Sequence, residues 1–399
     1  MTSINRNTLQ NAFYYLFLLQ LVSIVFSIAI AQILYGFVFF LWLFIVSRQT
    51  KIEFTLFDAA FTAFVVLRIV TVLLSESPAS SRIAYTREIA FYPYYFVALY
   101  YIKSFKIDGI KKAIHVLLYS SALASLYAVI SVVSGVMTRG ESLSGGYYVF
   151  SVHLAFVFAF SLAMIIDEKI SQTKIFVVVA IVIIAAGILS TYTRSMWIAI
   201  ALCVVTAGFM GYKKTLAGVT AAGVFFISLA PSLRDRLLTL LSPMEHSSGR
   251  IEIWKSGMEQ LRIHPFFGFG PETFKNIEID RSKFYDAAVA SWHNEFLQIQ
   301  IESGMFAALL LAILYGSVIW IFVKSYRQRK NSNGPNRNVE LFPLCFLLFS
   351  LFVIIPAIAT GSIMLSILNG MIVKFVFACA SYFACVNNLL KTYTLRLRN

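Results

Sequence analysis

The chain has 399 residues, of which 59% are apolar and 13% charged, and its mean hydropathy is +0.77. Such a composition marks an integral membrane protein and excludes an ordinary soluble enzyme. The formal charge of +14 comes from basic residues gathered at the ends of apolar runs, where they act as topology signals, so nucleic acid is excluded as a partner.

A crossing helix needs about 20 apolar residues, and the chain can be divided on that basis from its start. Residues 1–10 are polar, with no small-residue cleavage site after the apolar stretch that follows, which predicts an uncleaved first span. Residues 12–46 carry no charge and are too long for one helix, so they predict two spans turning near Ala31 and Gln32. Further spans are predicted over 54–74, 88–102, 113–136, 147–166, 175–190, 196–211 and 215–230. A polar interval over 231–292 comes next, and the last spans fall at 304–323, 341–359 and 362–386. The predicted fold class is therefore all-α: a polytopic membrane protein of about twelve transmembrane helices with one large periplasmic loop containing short helices. It divides into nine helices over 1–230, the loop over 231–302, and three helices with a cytoplasmic tail over 303–399.

Alternate connections carry the positive charge. One set holds Arg6, Arg48, Lys51, Lys103, Lys106, Lys111, Lys112, Lys169, Lys174, Lys213, Lys214, the cluster from Lys324 to Arg337, and Lys391, Arg396 and Arg398. The short loops of the other set hold little beyond Arg82, Arg87, Arg139 and Arg194. The positive-inside rule then predicts that both termini are cytoplasmic and that the loop faces outward, away from ATP and nucleotide-sugars. A reaction there needs an activated donor delivered by the membrane. All four cysteines lie in apolar segments, so neither a disulfide framework nor zinc spacing is expected.

Within the loop, Ile251, Ile253, Trp254, Gly257, Met258 and Leu261 recur near one face of a helical period, which predicts a short interfacial helix over 250–263 stopped by Pro265. Arg250 would open that helix, where free N–H groups already favour an anion; a solvated loop arginine is the other reading. Arg194, in a tight hairpin after Thr191, Tyr192 and Thr193, fits either a snorkelling interfacial arginine or a bidentate phosphate contact. His293, followed by Asn294 and Glu295, fits either a structural histidine or a general base at a wet membrane face. Glu278 and Asp280 are most simply solvated, and no metal is expected there. Asp58, Arg68 and Lys374 lie within spans, where such groups are expensive and face a polar cavity or one another.

These residues resemble the O-antigen ligase family of bacterial glycosyltransferases. The resemblance rests on Ser248, Gly249, Arg250 and Trp254, on the run from His264 to Gly270 (HPFFGFG), and on His293 and Asn294 followed by Gly304. It departs from the family pattern at Met305, Phe306 and Ala307, which softens the subfamily assignment. What the resemblance implies is inverting transfer of a polysaccharide from undecaprenyl pyrophosphate to a sugar hydroxyl of lipid A–core, on the periplasmic face of the Gram-negative inner membrane, with no cofactor. His293, Arg194 and Arg250 are its implied catalytic residues, and Arg194, Arg250, Trp254, Arg262, Asn294 and Arg68 its implied substrate contacts. A polymerase or a protein oligosaccharyltransferase of the same superfamily is the alternative, and a lipid-linked glycan transporter a more distant one.

Overall fold

The computed structural model describes residues 6–49, 51–166, 174–209, 250–284, 291–330 and 367–396, with single positions between 217 and 238. Its helices are α1 (Arg6–Phe26), α2 (Ile28–Val46), α3 (Leu56–Leu73), α4 (Pro78–Ile89), α5 (Tyr94–Val133), α6 (Tyr147–Ile166) and α7 (Lys174–Ser190), then α8 (Arg194–Phe209), α9 (Arg250–Gln260), α10 (Glu295–Lys330) and α11 (Ile367–Val386). Two five-residue strands, β1 (Lys51–Thr55) and β2 (Thr392–Arg396), pair antiparallel with Lys51 opposite Arg396.

Among the described residues, six helices are long and apolar enough to cross a bilayer, and three shorter apolar helices accompany them. The spans predicted over 215–230 and 341–359 lie outside the described residues. Phe37, Phe40, Leu123 and Phe176 are each more than 60% exposed, an outward-facing apolar belt that suits hydrocarbon and not water. Inside, α5 packs against α1, α2, α6, α7 and α11, and the rings of Phe57, Phe61, Tyr95 and Phe377 interlock where α3, α5 and α11 meet.

The first turn falls at Ser27, not near Ala31 and Gln32. Ser27 is extended and its hydroxyl accepts the Ile30 N–H, capping α2. Its small polar side chain can replace a lost backbone bond, which Ala31 cannot do. The passage predicted over 88–102 is discontinuous: α4 ends at Ile89, a turn runs through residues 90–93, and α5 begins at Tyr94. The Tyr35 hydroxyl donates to the Ala90 carbonyl at 3.0 Å, satisfying one group freed by that break. A second break lies within α5, where Lys106 adopts φ 52° and the chain turns sharply enough for the Tyr101 hydroxyl to reach the Gly109 carbonyl.

The start of α1 and the strand β2 share one end of the bundle. Helices α1 and α2 fold back on each other at Ser27, so β1, which follows α2, lies at the same end as the start of α1 and pairs with β2, which follows α11. The Lys103 ammonium donates to the Glu53 carbonyl at 2.8 Å at this same end. The loop 134–146 lies at the opposite end, where the Ser144 hydroxyl donates to the carbonyl of Val25 at the close of α1.

The charged groups within the spans are paired, but not as the sequence suggested. Asp58 belongs to a cluster of its own near the termini: it accepts from the Thr55 N–H in a capping box, from the Ser381 hydroxyl at 2.7 Å and from the Tyr95 hydroxyl. Arg68 instead grips Glu88 through two nitrogens, at 2.6 and 3.2 Å, and reaches Glu302 at 3.0 Å and the Ser303 hydroxyl at 2.8 Å. Lys374 joins this second network, with its nitrogen 5.2 Å from the Tyr92 ring centre and within the fields of Glu88 and Glu295. Glu88 and Glu302 were the missing counter-charges.

Candidate active site

The site is built where three loops meet at the end of the bundle opposite the termini. Helices α7 and α8 form a hairpin closed by Thr191, Tyr192 and Thr193. The Thr191 hydroxyl donates to the Ile188 carbonyl at 2.7 Å, Thr193 accepts the Met196 N–H to start α8, and the Trp197 indole donates back to Ile188. Tyr192 holds φ 53°. Arg194 stands half-buried at the first turn of α8, directly after this left-handed corner.

The loop 134–146 is tied to that hairpin. Gly140 donates its N–H to the Ser190 carbonyl at 2.8 Å, and a Cβ there would fall 2.2 Å from the Ser190 hydroxyl. Beside it, the Arg139 guanidinium lies 4.3 Å from the ring centre of Tyr147, the first residue of α6. Tyr147 and its neighbour Tyr148 also lie within the field of Arg250. Two arginines therefore meet the start of α6, Arg139 and Arg250 beside the tyrosines, while Arg194 stands on the hairpin tied to the Arg139 loop. Arg139 was visible in the sequence only as one of the few cations in the sparsely charged set of loops.

Arg250 opens α9, as the sequence predicted, though that helix ends at Gln260, before the predicted 263 and ahead of Pro265. Burial draws its guanidinium below the ordinary range, with Tyr148 and Tyr147 acting the other way. A partly desolvated cation at the positive end of a helix gains strongly from an anionic ligand. Helix α9 then packs on the start of α10: Ile253, Trp292, Leu297 and Ile301 share one apolar cluster, and a Cβ on Gly257 would meet the Trp292 ring at 2.9 Å.

His293 follows Trp292 and holds φ 49°, a second left-handed corner, at the start of the helix on which α9 packs. Its flanks are fixed. Trp292 donates its N–H to the Gln298 side-chain oxygen at 2.9 Å, and the Asn294 side chain accepts the Leu297 N–H at 3.1 Å to cap α10. Gln298 in turn donates to Glu302, the carboxylate held by Arg68, so the buried ion network runs directly to the backbone beside His293. Trp254 and Trp292 each carry a buried indole N–H without an acceptor among the described residues.

Two of the predicted contacts lie elsewhere. Arg68 is wholly buried in its ion pairs. Arg262 is exposed in the turn beyond the far end of α9, a helix that spans about 15 Å from Arg250 to Gln260 at about 1.5 Å per residue.

The run from His264 to Gly270 is the seam that joins the loop to the bundle. Helix α10 opens at Gly304, with φ 75° and ψ 179°, and the loop backbone fills the gap: Phe269 donates to the Ile301 carbonyl, Gly270 to that of Glu302, and Met305 to that of Pro265. Glu302 also accepts the Glu272 N–H at 2.9 Å. A Cβ on Gly304 would lie 1.9 Å from the Phe266 carbonyl oxygen, and the backbone there is one that only glycine adopts readily. Gly304→Ala is expected to cost at least the roughly 1–3 kcal/mol of such strain, read as a lower melting temperature in detergent.

Residues 179–312 match the family model described as O-Antigen ligase. This stretch belongs to the O-antigen ligase family. It holds Arg250, His293 and Gly304, on which the resemblance rested, together with Arg194, and it stops short of Arg139 and the tyrosines of α6. No curated protein matches the chain.

Proposed function

We propose that the chain is an inverting glycosyltransferase that moves an O-antigen polysaccharide from undecaprenyl pyrophosphate to a sugar hydroxyl of lipid A–core, on the periplasmic face of the bacterial inner membrane. The observation that carries this reading is the pair Arg139 and Arg250 beside the tyrosines that open α6, with Arg194 on the hairpin tied to the Arg139 loop, at the end of the bundle away from the cytoplasmic-type charge. A diphosphate headgroup suits such a site, because guanidinium forks match phosphate oxygens in pairs.

In the step itself, the acceptor oxygen attacks the anomeric carbon from the face opposite the diphosphate. The C–O bond to the diphosphate breaks and its electron pair leaves with undecaprenyl pyrophosphate. The acceptor proton passes to the His293 imidazole. Arg194 and Arg250 stabilise the charge that grows on the leaving group, Trp254 offers its indole N–H, and Asn294 offers its amide NH2 to the acceptor. Arg68 and its carboxylates act at one remove, as positioning residues for the His293 corner.

Reconstitution with lipid-linked glycan and lipid A–core tests the reading. His293→Ala is expected to reduce transfer by roughly 100- to 10,000-fold. A chelator is expected to leave the rate unchanged. Full transfer by the histidine variant would remove the proposed base. Lengthening of the lipid-linked glycan without transfer to core would make the chain a polymerase, and activity confined to sealed vesicles would make it a transporter.

A further inference from the structure

A second concavity lies at the other end of α9. It is a cavity of about 400 Å³ lined by Glu76, Ser77, Gln260, Phe269, Asn276 and Glu278, within the roughly 300–1,000 Å³ of small-ligand sites. Its lining differs in kind from the arginine corner. Carboxylates, amides and hydroxyls face it beside Ile263, Phe269 and Ile277, with no arginine or lysine among the lining residues.

Several of these groups face solvent with no protein partner among the described residues. The side chains of Gln260, Asn276 and Glu278 make no hydrogen bond to any described residue. The walls behind them are fixed: the Thr273 hydroxyl donates to the Gly270 carbonyl at 2.7 Å, and Asn276 and Ile277 donate their N–H groups to the Thr273 carbonyl. Glu76 is held on one side only, with one oxygen 2.7 Å from the His264 Nε2, and His264 sits edge-on to Phe269 at 4.6 Å between ring centres. The second Glu76 oxygen keeps its acceptor capacity.

We propose that this cavity binds a neutral or amino sugar unit of a glycan chain, as a subsite separate from the diphosphate clamp. Amides that both donate and accept, set among carboxylates that only accept, match a ring carrying adjacent hydroxyl or ammonium donors. The same carboxylates repel a phosphate, which keeps the headgroup at the arginine corner. Helix α9 is the spacer: ten residues from Arg250 to Gln260 separate the two sites by about 15 Å. That distance assigns to the cavity a sugar some units away from the one being transferred, and rests on the glycosyltransferase reading given above. Donor polysaccharide and lipid A–core both present such sugars.

Two soluble probes separate these sources: the lipid-linked glycan and the core oligosaccharide, each released from its lipid by mild acid. Saturation-transfer NMR with the purified full-length protein is expected to show contact with one of them. Asn276→Ala with Glu278→Gln, at exposed positions outside the catalytic corner, is expected to weaken that signal at least threefold, and Glu278→Arg to do the same by charge and bulk. The same variants should raise KM at least threefold for whichever substrate carries that glycan, with kcat unchanged.

Signal from neither probe, or a signal that both variants leave intact, overturns the subsite. Because binding is read without turnover, the two readings fail separately. A protein that transfers nothing yet loses glycan contact in these variants keeps the subsite and loses the proposed reaction; one that transfers normally with unaltered contact does the reverse.

Discussion

Arg250→Ala is expected to lower glycan transfer by roughly 100- to 1,000-fold, the usual consequence of removing one donor aimed at developing negative charge. The melting temperature should hardly move, because Arg250 stands half-buried at the first turn of α9, outside the apolar cluster that fixes that helix. The loss should fall on kcat, since the charge on the leaving diphosphate grows in the transition state and uniform binding would change only KM. Arg250→Lys should recover part of the rate, as it restores the charge but not the planar fork. Arg194→Ala should behave alike, and the double variant should lose less than the product of the two single losses, because both act on one headgroup. Initial rates over a donor titration decide the matter. A rise in KM with an unchanged kcat would make Arg250 a membrane anchor for the donor and take it out of the chemistry.

The sequence made some of this geometry readable and hid the rest for physical reasons. Run length and composition locate hydrocarbon-crossing segments because the bilayer imposes one length on all of them. They say nothing of interruptions within a passage, so the break at residues 90–93, the corner at Lys106 and the turn at Ser27 had to come from the fold. Ionisable residues within spans announce themselves by their cost, and Arg68 was found in that way; its partners were not, because Glu88 lies 20 residues and Glu302 234 residues away. The strands β1 and β2 are five residues each and more than 300 apart, with no local pattern that would pair them. Gly304 was legible as a motif position, while its reason, a loop backbone lying where a Cβ would be, is tertiary. The arginines and His293 were found by residue type, and Arg139, which lies over the ring of Tyr147, had no motif to mark it.

The Arg68 network offers the largest effect on stability and a way to separate folding from positioning. Arg68→Ala leaves Glu88 and Glu302 without their shared cation, and breaking a buried pair from one side typically costs about 3–5 kcal/mol. The expected result is a protein that inserts poorly or melts far earlier in detergent. Glu302→Gln is the gentler probe. It preserves shape and the Arg68–Glu88 pair while weakening the acceptor that holds Gln298 and the Glu272 N–H, a loss of about 1–3 kcal/mol. Gln298 is the only described side chain that fixes the Trp292 N–H beside His293, so relaxing it should let the left-handed corner drift. A misplaced base loses rate steeply, since about 1 Å of displacement can cost 100-fold. Glu302→Gln is therefore expected to reduce kcat by tenfold or more with little change in KM, whereas a purely structural role would lower the yield of folded protein and leave the kcat of the folded fraction intact. Gln298→Ala supplies the control: it removes the link to Trp292 and one donor to Glu302 while leaving both carboxylates charged and paired with Arg68, so a matching fall in kcat with a smaller change in melting temperature would trace the effect to the His293 corner.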